Sequence, residues 1–384
     1  MPDIDKKLLT ELEELRKYLH KHPELSHQEK NTAKTLKDFL QKKNPNLQFV
    51  ENIGGYGMLC IHDSGNKGPF SVFRADLDAL PIEEINQFDH ISKNKGVGHK
   101  CGHDGHSTIL AGLGSYVADN PPEKGKIGLL FQPAEETGEG ARNMLNDSKF
   151  KKFSPDYYFG LHNLPGYEKG TLILKDGIFA SASTGMEVKL KGHTSHAGHP
   201  ENGISPNFAV SQLMQELPAL PAQKVPFERA ALVTIIHVVL GEIAYGTSPG
   251  YSELRATIRS HTDEDMKIIT EAARATIKGI AEAHNLKHEL AWKEDFPSTK
   301  NDSEVFANIR RLWEKMNFPV HFREQPFPWS EDFGNFLHQK PGMFFGLGSG
   351  NDCPQLHNPD YDFPDEITEH GIRAFAAILS EYHN

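Results

Sequence analysis

Four short apolar runs share one design, and that design limits the folds open to this chain more than any other feature. Ser71-Val72-Phe73 leads into Arg74-Ala75-Asp76-Leu77-Asp78, and Ile127-Gly128-Leu129-Leu130-Phe131 into Gln132-Pro133-Ala134-Glu135-Glu136. Tyr157-Tyr158-Phe159-Gly160 leads into Leu161-His162-Asn163. Met343-Phe344-Phe345-Gly346-Leu347 leads, after a loop, into Leu356-His357-Asn358-Pro359. Short apolar runs without alternation are the pattern of strands buried on both faces. Each run delivers polar groups just beyond its end. In open α/β sheets, ligand sites lie in the crevice outside the carboxyl ends of the strands, so clusters distant in sequence can converge there. The expected class is α/β.

The rest of the chain fits around those strands. Leu8, Leu9, Leu12, Leu15, Tyr18 and Leu19 recur at helical spacing behind Asp5, a candidate cap. Ala33, Leu36, Phe39 and Leu40 predict a second helix, and Gly54-Gly55 a turn between two strands. The stretch after Cys101–His106 fits a helical crossover. Between 183 and 293 the character changes. Met186–Leu190 and Leu254–Arg259 alternate like half-exposed strands, Ala231–Val239 reads as another strand, and helices are expected over 205–217 and 264–284. Strands and helices without ligand-rich ends suggest an α+β insert. The expected division is a catalytic domain from 1–182 and 294–384, interrupted by an inserted domain over 183–293.

Composition narrows the partners. A net charge of −11 over 384 residues argues against nucleic acid or an anionic membrane, since both select basic surfaces. Three cysteines, Cys60, Cys101 and Cys353, cannot all pair, and a sparse odd set suits a reducing compartment. The charged start Met1–Lys7 has no signal-peptide apolar core behind it, and no run of about eighteen apolar residues occurs, so a cytoplasmic protein is expected.

The chemistry centres on Cys101-Gly102-His103-Asp104-Gly105-His106, which packs a thiol, two imidazoles and a carboxylate into six residues. Thiolate and imidazole two residues apart suit a borderline-soft divalent cation, zinc above all. A reduced buried cysteine beside surface histidines is the plainer alternative. Glu135 and Glu136 are either two solvated carboxylates or a pair with divided roles. In the second case one coordinates a cation and the other deprotonates water and passes the proton to a leaving amine. His162 and His357 are either structural or further imidazole ligands. Asp78 is either a strand-end cap or the partner that orients a ligating histidine. His99 and His106 are expected in the wall of such a site. His193, Ser195, His196 and His199 of the insert either only decorate a loop with titrating groups or place a histidine to reach a carbonyl oxygen developing negative charge.

Taken together, Asp76–Pro81, Cys101–His106, Gln132–Glu136, Gly160-Leu161-His162, Ser195-His196-Ala197, Ser330-Glu331-Asp332-Phe333 and Leu356-His357 resemble the aminoacylase-type metallopeptidases. The likeness is strongest to the branch of hippurate hydrolases, N-acyl-amino-acid deacetylases and auxin-conjugate amidohydrolases. It runs in order over nearly the whole chain. The resemblance implies a three-layer α/β/α catalytic domain of zinc-peptidase type with an inserted α+β lid. It implies two divalent ions, zinc first, with manganese, cobalt or nickel as alternatives. Cys101 matches the bridging ligand, His103, Glu136, His162 and His357 the others, and Glu135 the general base. Asp78 matches the carboxylate behind a ligand histidine. His196 matches the lid histidine that, in dimeric relatives, serves the partner's active site, so a homodimer through the lid is within what the resemblance implies.

The implied reaction is cleavage of the amide of an N-acyl amino acid or a short peptide. Arg255 and Arg259 are weak candidates for anchoring a substrate carboxylate. Ala244-Tyr245-Gly246-Thr247-Ser248-Pro249-Gly250 departs from the Asn-Val-Ile-Pro-like segment usual in the family, so specificity does not carry over. The alternatives are dipeptidase or aminopeptidase-like specificity on the same scaffold, a metal- or peptide-binding protein without turnover, and a cysteine nucleophile paired with His103.

Overall fold

The computed structural model describes residues 3–384, which form two compact units. The larger comprises residues 3–179, Thr299–Gln325 and Asp332–Asn384; the smaller comprises Ala180–Ser298 and Pro326–Glu331.

In the larger unit, helix α1 (Lys6–Lys21) starts where Asp5 accepts a hydrogen bond from the Lys7 amide at 3.1 Å. It buries Leu12, Leu15 and Leu19 in the main core. Each contributes on the order of 1.5–3 kcal/mol relative to exposure. Helix α2 (Lys30–Lys43) adds Leu36 and Leu40. Strands β1 (Gln48–Ile53) and β2 (Gly57–Asp63) form an antiparallel hairpin. Then come β3 (Phe70–Asp76), helix α3 (His103–Asp119), β4 (Lys126–Gln132), β5 (Tyr157–Pro165) and β6 (Leu172–Leu174). With the strands Val320–Phe322 and Gly342–Gly350 they make an eight-stranded sheet. Its order is β1, β2, β4, β3, β5, Gly342–Gly350, β6, Val320–Phe322.

The sheet is mixed. The inner block β4, β3, β5 and Gly342–Gly350, which carries all four polar-ended runs, is parallel. Antiparallel pairing enters on either side, where β2 meets β4 and where β6 meets Gly342–Gly350. One detail differs from the strand-then-ligand reading: β5 continues to Pro165, so His162 lies inside the strand and not beyond it.

The smaller unit holds a four-stranded antiparallel sheet in the order Ala231–Leu240, Tyr251–Ser260, Ala182–Lys191, Lys287–Phe296. Met186, Val188, Leu190, Leu254, Ala256 and Ile258 alternate into its core, beside Leu213 and Leu217 of helix Asn207–Lys224 and Ile269, Ala273 and Ile277 of helix Asp263–Ala283. The first helix runs past 217 to Lys224 with Pro218 and Pro221 inside it. The strip Pro326–Glu331 belongs here because the Phe327 carbonyl accepts from the Ser181 amide at 3.1 Å and its hydroxyl at 2.6 Å. No hydrophobic period in the sequence marks so short a contact. Among the described residues, no helix is long and apolar enough to cross a membrane.

Candidate metal centre

Local backbone turns aim several of the side chains of the larger unit that the motifs single out. The chain turns into α3 through Gly102, whose φ of 90° is left-handed; a Cβ there would lie 2.3 Å from Asn163 Oδ1. Glycine alone fits that turn. It leaves Cys101 buried just before the helix and His103 as the first helical residue. Ala134, at φ 52°, bends the chain after β4, and its amide donates to Glu29 Oε1 at 2.8 Å. Glu135 and Glu136 follow at once. His357, also left-handed at φ 66°, is held by its amide on the Lys100 carbonyl at 2.7 Å.

Seven of the residues named from sequence come together. Ligand-type atoms of Cys101, His103 and His162 lie within 4.8 Å of one another, as do those of Cys101, Glu136 and His357, and those of His103, Glu135 and Glu136. Two three-residue groups therefore share the Cys101 thiol. Asp78 stands behind His103: its carbonyl accepts from Nδ1 at 2.9 Å and its Oδ1 is 3.4 Å from the same nitrogen. His162 Nδ1 donates to the Asn163 carbonyl at 2.8 Å. With both Nδ1 atoms used as donors, each neutral ring presents an Nε2 lone pair to the cluster. His162 Nε2 is 3.4 Å from the Cys101 sulfur.

The donor set fits a cation. His103 Nε2 and Glu136 Oε1 are buried, 3.8 Å apart, and neither has a hydrogen-bond partner. Orphaned buried polar atoms are costly unless something satisfies them. The charge balance agrees. Burial alone would lower the His103 pKa, but Asp76, Asp78 and Glu136 hold it up to about 10. Burial, with Asp78 and Asp76 nearby, pushes the Glu136 carboxyl up to about 8 despite His103. Burial and neighbouring imidazoles drive His162 well below the ordinary imidazole range. The carboxylates that raise His103, and with burial Glu136, carry negative charge that a bound cation would offset.

Around it lies a layer to which, His99 and His106 apart, motif reading assigns no role. Asp76 Oδ1 accepts from His106 Nδ1 at 2.7 Å and its Oδ2 from Arg74 at 2.7 Å. His106 Nε2 meets Asn163 Oδ1 at 2.5 Å, and Asn163 bonds the Tyr361 hydroxyl. Ser26 donates to Asp78 Oδ2 at 2.7 Å, and the Glu136 amide to the same oxygen at 3.0 Å. Glu29 is fully buried, and burial raises its pKa to about 7. His99 is buried with neither ring nitrogen hydrogen-bonded. The sequence signal for this layer is charge where none is expected: Arg74 inside a strand buried along its whole length.

His196, Arg255 and Arg259 belong to the smaller unit. His196 is exposed, and its Nδ1 accepts from the Gly198 amide at 3.0 Å, so in the neutral ring the proton sits on Nε2. Its strand partner is Thr247, and the Ala197 amide donates to the Gly246 carbonyl at 2.9 Å. The segment Ala244–Gly250, where the sequence departs from its relatives, thus lies against the His196 strand. Arg255 is engaged by Glu253 at 2.6 Å and Glu187 at 3.2 Å. Arg259 reaches the Pro328 carbonyl at 3.1 Å and the Ser330 hydroxyl at 3.2 Å.

The family model for peptidase family M20/M25/M40 matches residues 72–381. A hippurate hydrolase of Campylobacter jejuni is 32% identical over 376 residues, covering 97% of this chain and 96% of the relative. An N-acetylcysteine deacetylase of Bacillus subtilis is 30% identical, covering 97% of each. Among solved structures, a Bacillus subtilis dinuclear metal-binding peptidase of the M20 family superposes with a TM-score of 0.83 at 27% identity, over 98% of both chains. That match carries the α/β/α class for the catalytic fold.

Proposed function

The chain belongs to the peptidase family M20/M25/M40, and from that membership we infer a metal-dependent amidohydrolase that cleaves N-acyl amino acids to a carboxylate and a free amine. One observation carries the reading. Two ligand groups share the Cys101 sulfur, and Glu135, which belongs to neither, has Oε2 4.0 Å from His103 Nε2. The named activities of the hippurate hydrolase and the N-acetylcysteine deacetylase point to the same substrate class.

In this reading Cys101, His103 and His162 hold one divalent ion, and Cys101, Glu136 and His357 the other. Zinc is favoured by the thiolate, with manganese, cobalt or nickel as alternatives. Bound there, such ions supply Lewis acidity for the amide carbonyl and bring the pKa of water toward neutrality. Glu135 takes the proton of the attacking water and delivers it to the leaving nitrogen. Asp78 keeps the His103 ring oriented and its Nε2 basic. His196, with its proton on Nε2, is the donor assigned to the carbonyl oxygen as charge develops on it. Arg255 is compensated by two carboxylates, which leaves Arg259 the better candidate for a substrate carboxylate. The net charge of −11 argues against nucleic acid as the substrate.

The test is metal analysis of the purified protein together with turnover of N-acetylcysteine, N-benzoylglycine and a set of dipeptides. Two ions per chain, preference for the N-acyl amino acids, loss of turnover on chelation and its return with added divalent cation are expected. Preference for dipeptides would move the assignment to a dipeptidase. Turnover that survives complete metal removal would overturn it.

A further inference from the structure

We propose that Asp332 is a positioning residue for Glu135, fixing which oxygen of the base faces the reacting water; the proposal rests on the amidohydrolase reading above. Asp332 is the first residue of the chain's last segment in the larger unit, and it is completely buried. Its backbone amide donates to Glu135 Oε1 at 3.3 Å. The other oxygen, Oε2, is the one that points toward His103 Nε2. One oxygen of the base is thus held by an amide, and the other is aimed at the ligand cluster.

An amide can orient a carboxylate only if the amide itself cannot move. The Asp332 side chain supplies that rigidity. Oδ1 accepts from Gln132 Nε2 at 2.7 Å and from Arg74 at 3.0 Å; Oδ2 accepts from Gln132 Nε2 at 2.9 Å and from the Ala141 amide at 2.9 Å. All of these groups are donors, and Arg74 and Gln132 are themselves buried and joined at 2.8 Å. Arg74 also grips Asp76, which holds His106. One buried guanidinium therefore ties the ends of β3 and β4 to the peptide that orients Glu135. Charge-assisted bonds of this kind are stronger than neutral ones, and in a buried network each depends on the others.

The chemistry of the contacts makes a specific demand. Asparagine has the shape of aspartate, yet its NH2 would face a donor on whichever side it turned, either Arg74 or the Ala141 amide. Asp332→Asn should therefore behave almost like Asp332→Ala. Misplacement of a catalytic group by about 1 Å costs roughly 10²-fold in rate. For both variants we expect kcat to fall by about that factor with KM within about threefold and both metal ions retained, the pattern of an interaction felt mainly in the transition state.

The decisive readout does not depend on turnover. Crystal structures of the metal-free wild type and of Asp332→Asn should show the Glu135 carboxylate leaving the 332 amide in the variant. If Asp332→Asn does not fold, Gln132→Met, which removes both Gln132 contacts, answers the same question. Glu135 unmoved in the folded variant, or a loss of activity explained by lost metal or raised KM, would overturn the proposal. Should the wild type hydrolyse neither N-acetylcysteine nor N-benzoylglycine, the substrate assignment fails, while the displacement of Glu135 still decides this inference.

Discussion

Glu135 and Glu136 are sequence neighbours with different surroundings, and the difference predicts separable effects. Glu136 has an orphaned oxygen among the metal-type ligands, whereas Glu135 has one oxygen on a backbone amide. Glu135→Gln keeps the shape and removes the base, so kcat should fall about 10²–10⁴-fold while metal content by elemental analysis stays at the wild-type level. Glu136→Gln should instead reduce bound metal. Equal metal loss in both variants would merge the two roles. The residues of the cluster are legible in the sequence because chemistry-bearing types are rare directly after buried strands. Their supports are not. Asn163 and Tyr361 are unremarkable polar residues, and Gln132 only the first residue of a motif, until the fold brings them within 2.5–2.8 Å of their partners. Asp332 is visible as part of a motif, but its side chain meets donors from positions 74, 132 and 141, and no local pattern encodes them.

Among elements, α3 does most to build the centre, and its first turn is the place to disturb it. Gly102→Ala would force a side chain onto a left-handed residue, costing about 1–3 kcal/mol, and would set its Cβ against an Asn163 amide already tied to His106 and Tyr361. We expect a lower urea midpoint together with weakened metal binding, and an unchanged midpoint would contradict the strained turn. Helix α1 holds the same turn from behind. His20 bonds Asp104 at 2.8 Å and Glu84 at 2.9 Å, and Arg16 bonds Asp362 and Asp365. Burial opposes the charged His20, but Asp104 and Glu84 raise its pKa from 6.5 to about 9. A pKa raised on folding stabilises fully below the unfolded value and fades as pH climbs through the folded one. Stability should thus drop by up to ~3 kcal/mol between about pH 6.5 and 9, and His20→Gln should flatten that slope in urea titrations. A wild-type slope that persists in the variant would point to other groups. The period of α1 is plain in the sequence, but its inward-facing Arg16 and His20 look like ordinary surface residues of an amphipathic helix. Only the carboxylates opposite them, Glu84 and Asp104 buried and Asp362 and Asp365 half-buried, explain the pair.

At the scale of the whole molecule, the smaller unit leaves an edge that a monomer has little reason to keep. Strand Ala231–Leu240 ends its sheet, and Leu232, Ile236, Val239 and Leu240 are 37–61% exposed, with Ile243 and Tyr245 wholly exposed just beyond. Unpaired strand edges with apolar side chains invite another strand, and natural chains usually blunt them with charge or proline. Here the blunting is slight, limited to a bulge between Ile235 and His237. A second copy of this chain is the simplest partner, since a two-fold axis places the same patch on both sides. Light scattering should therefore give a dimer, and Ile236→Lys with Leu240→Lys a monomer that keeps its helix and strand content. A monomeric wild type at micromolar concentration would end that argument. If the dimer holds, mixing supplies the sharper test. Glu135→Gln and His196→Ala chains, each weak alone, should regain activity after subunit exchange only if His196 of one chain serves the cluster of the other. A mixture no better than the sum of its parts would assign His196 to its own chain's cluster.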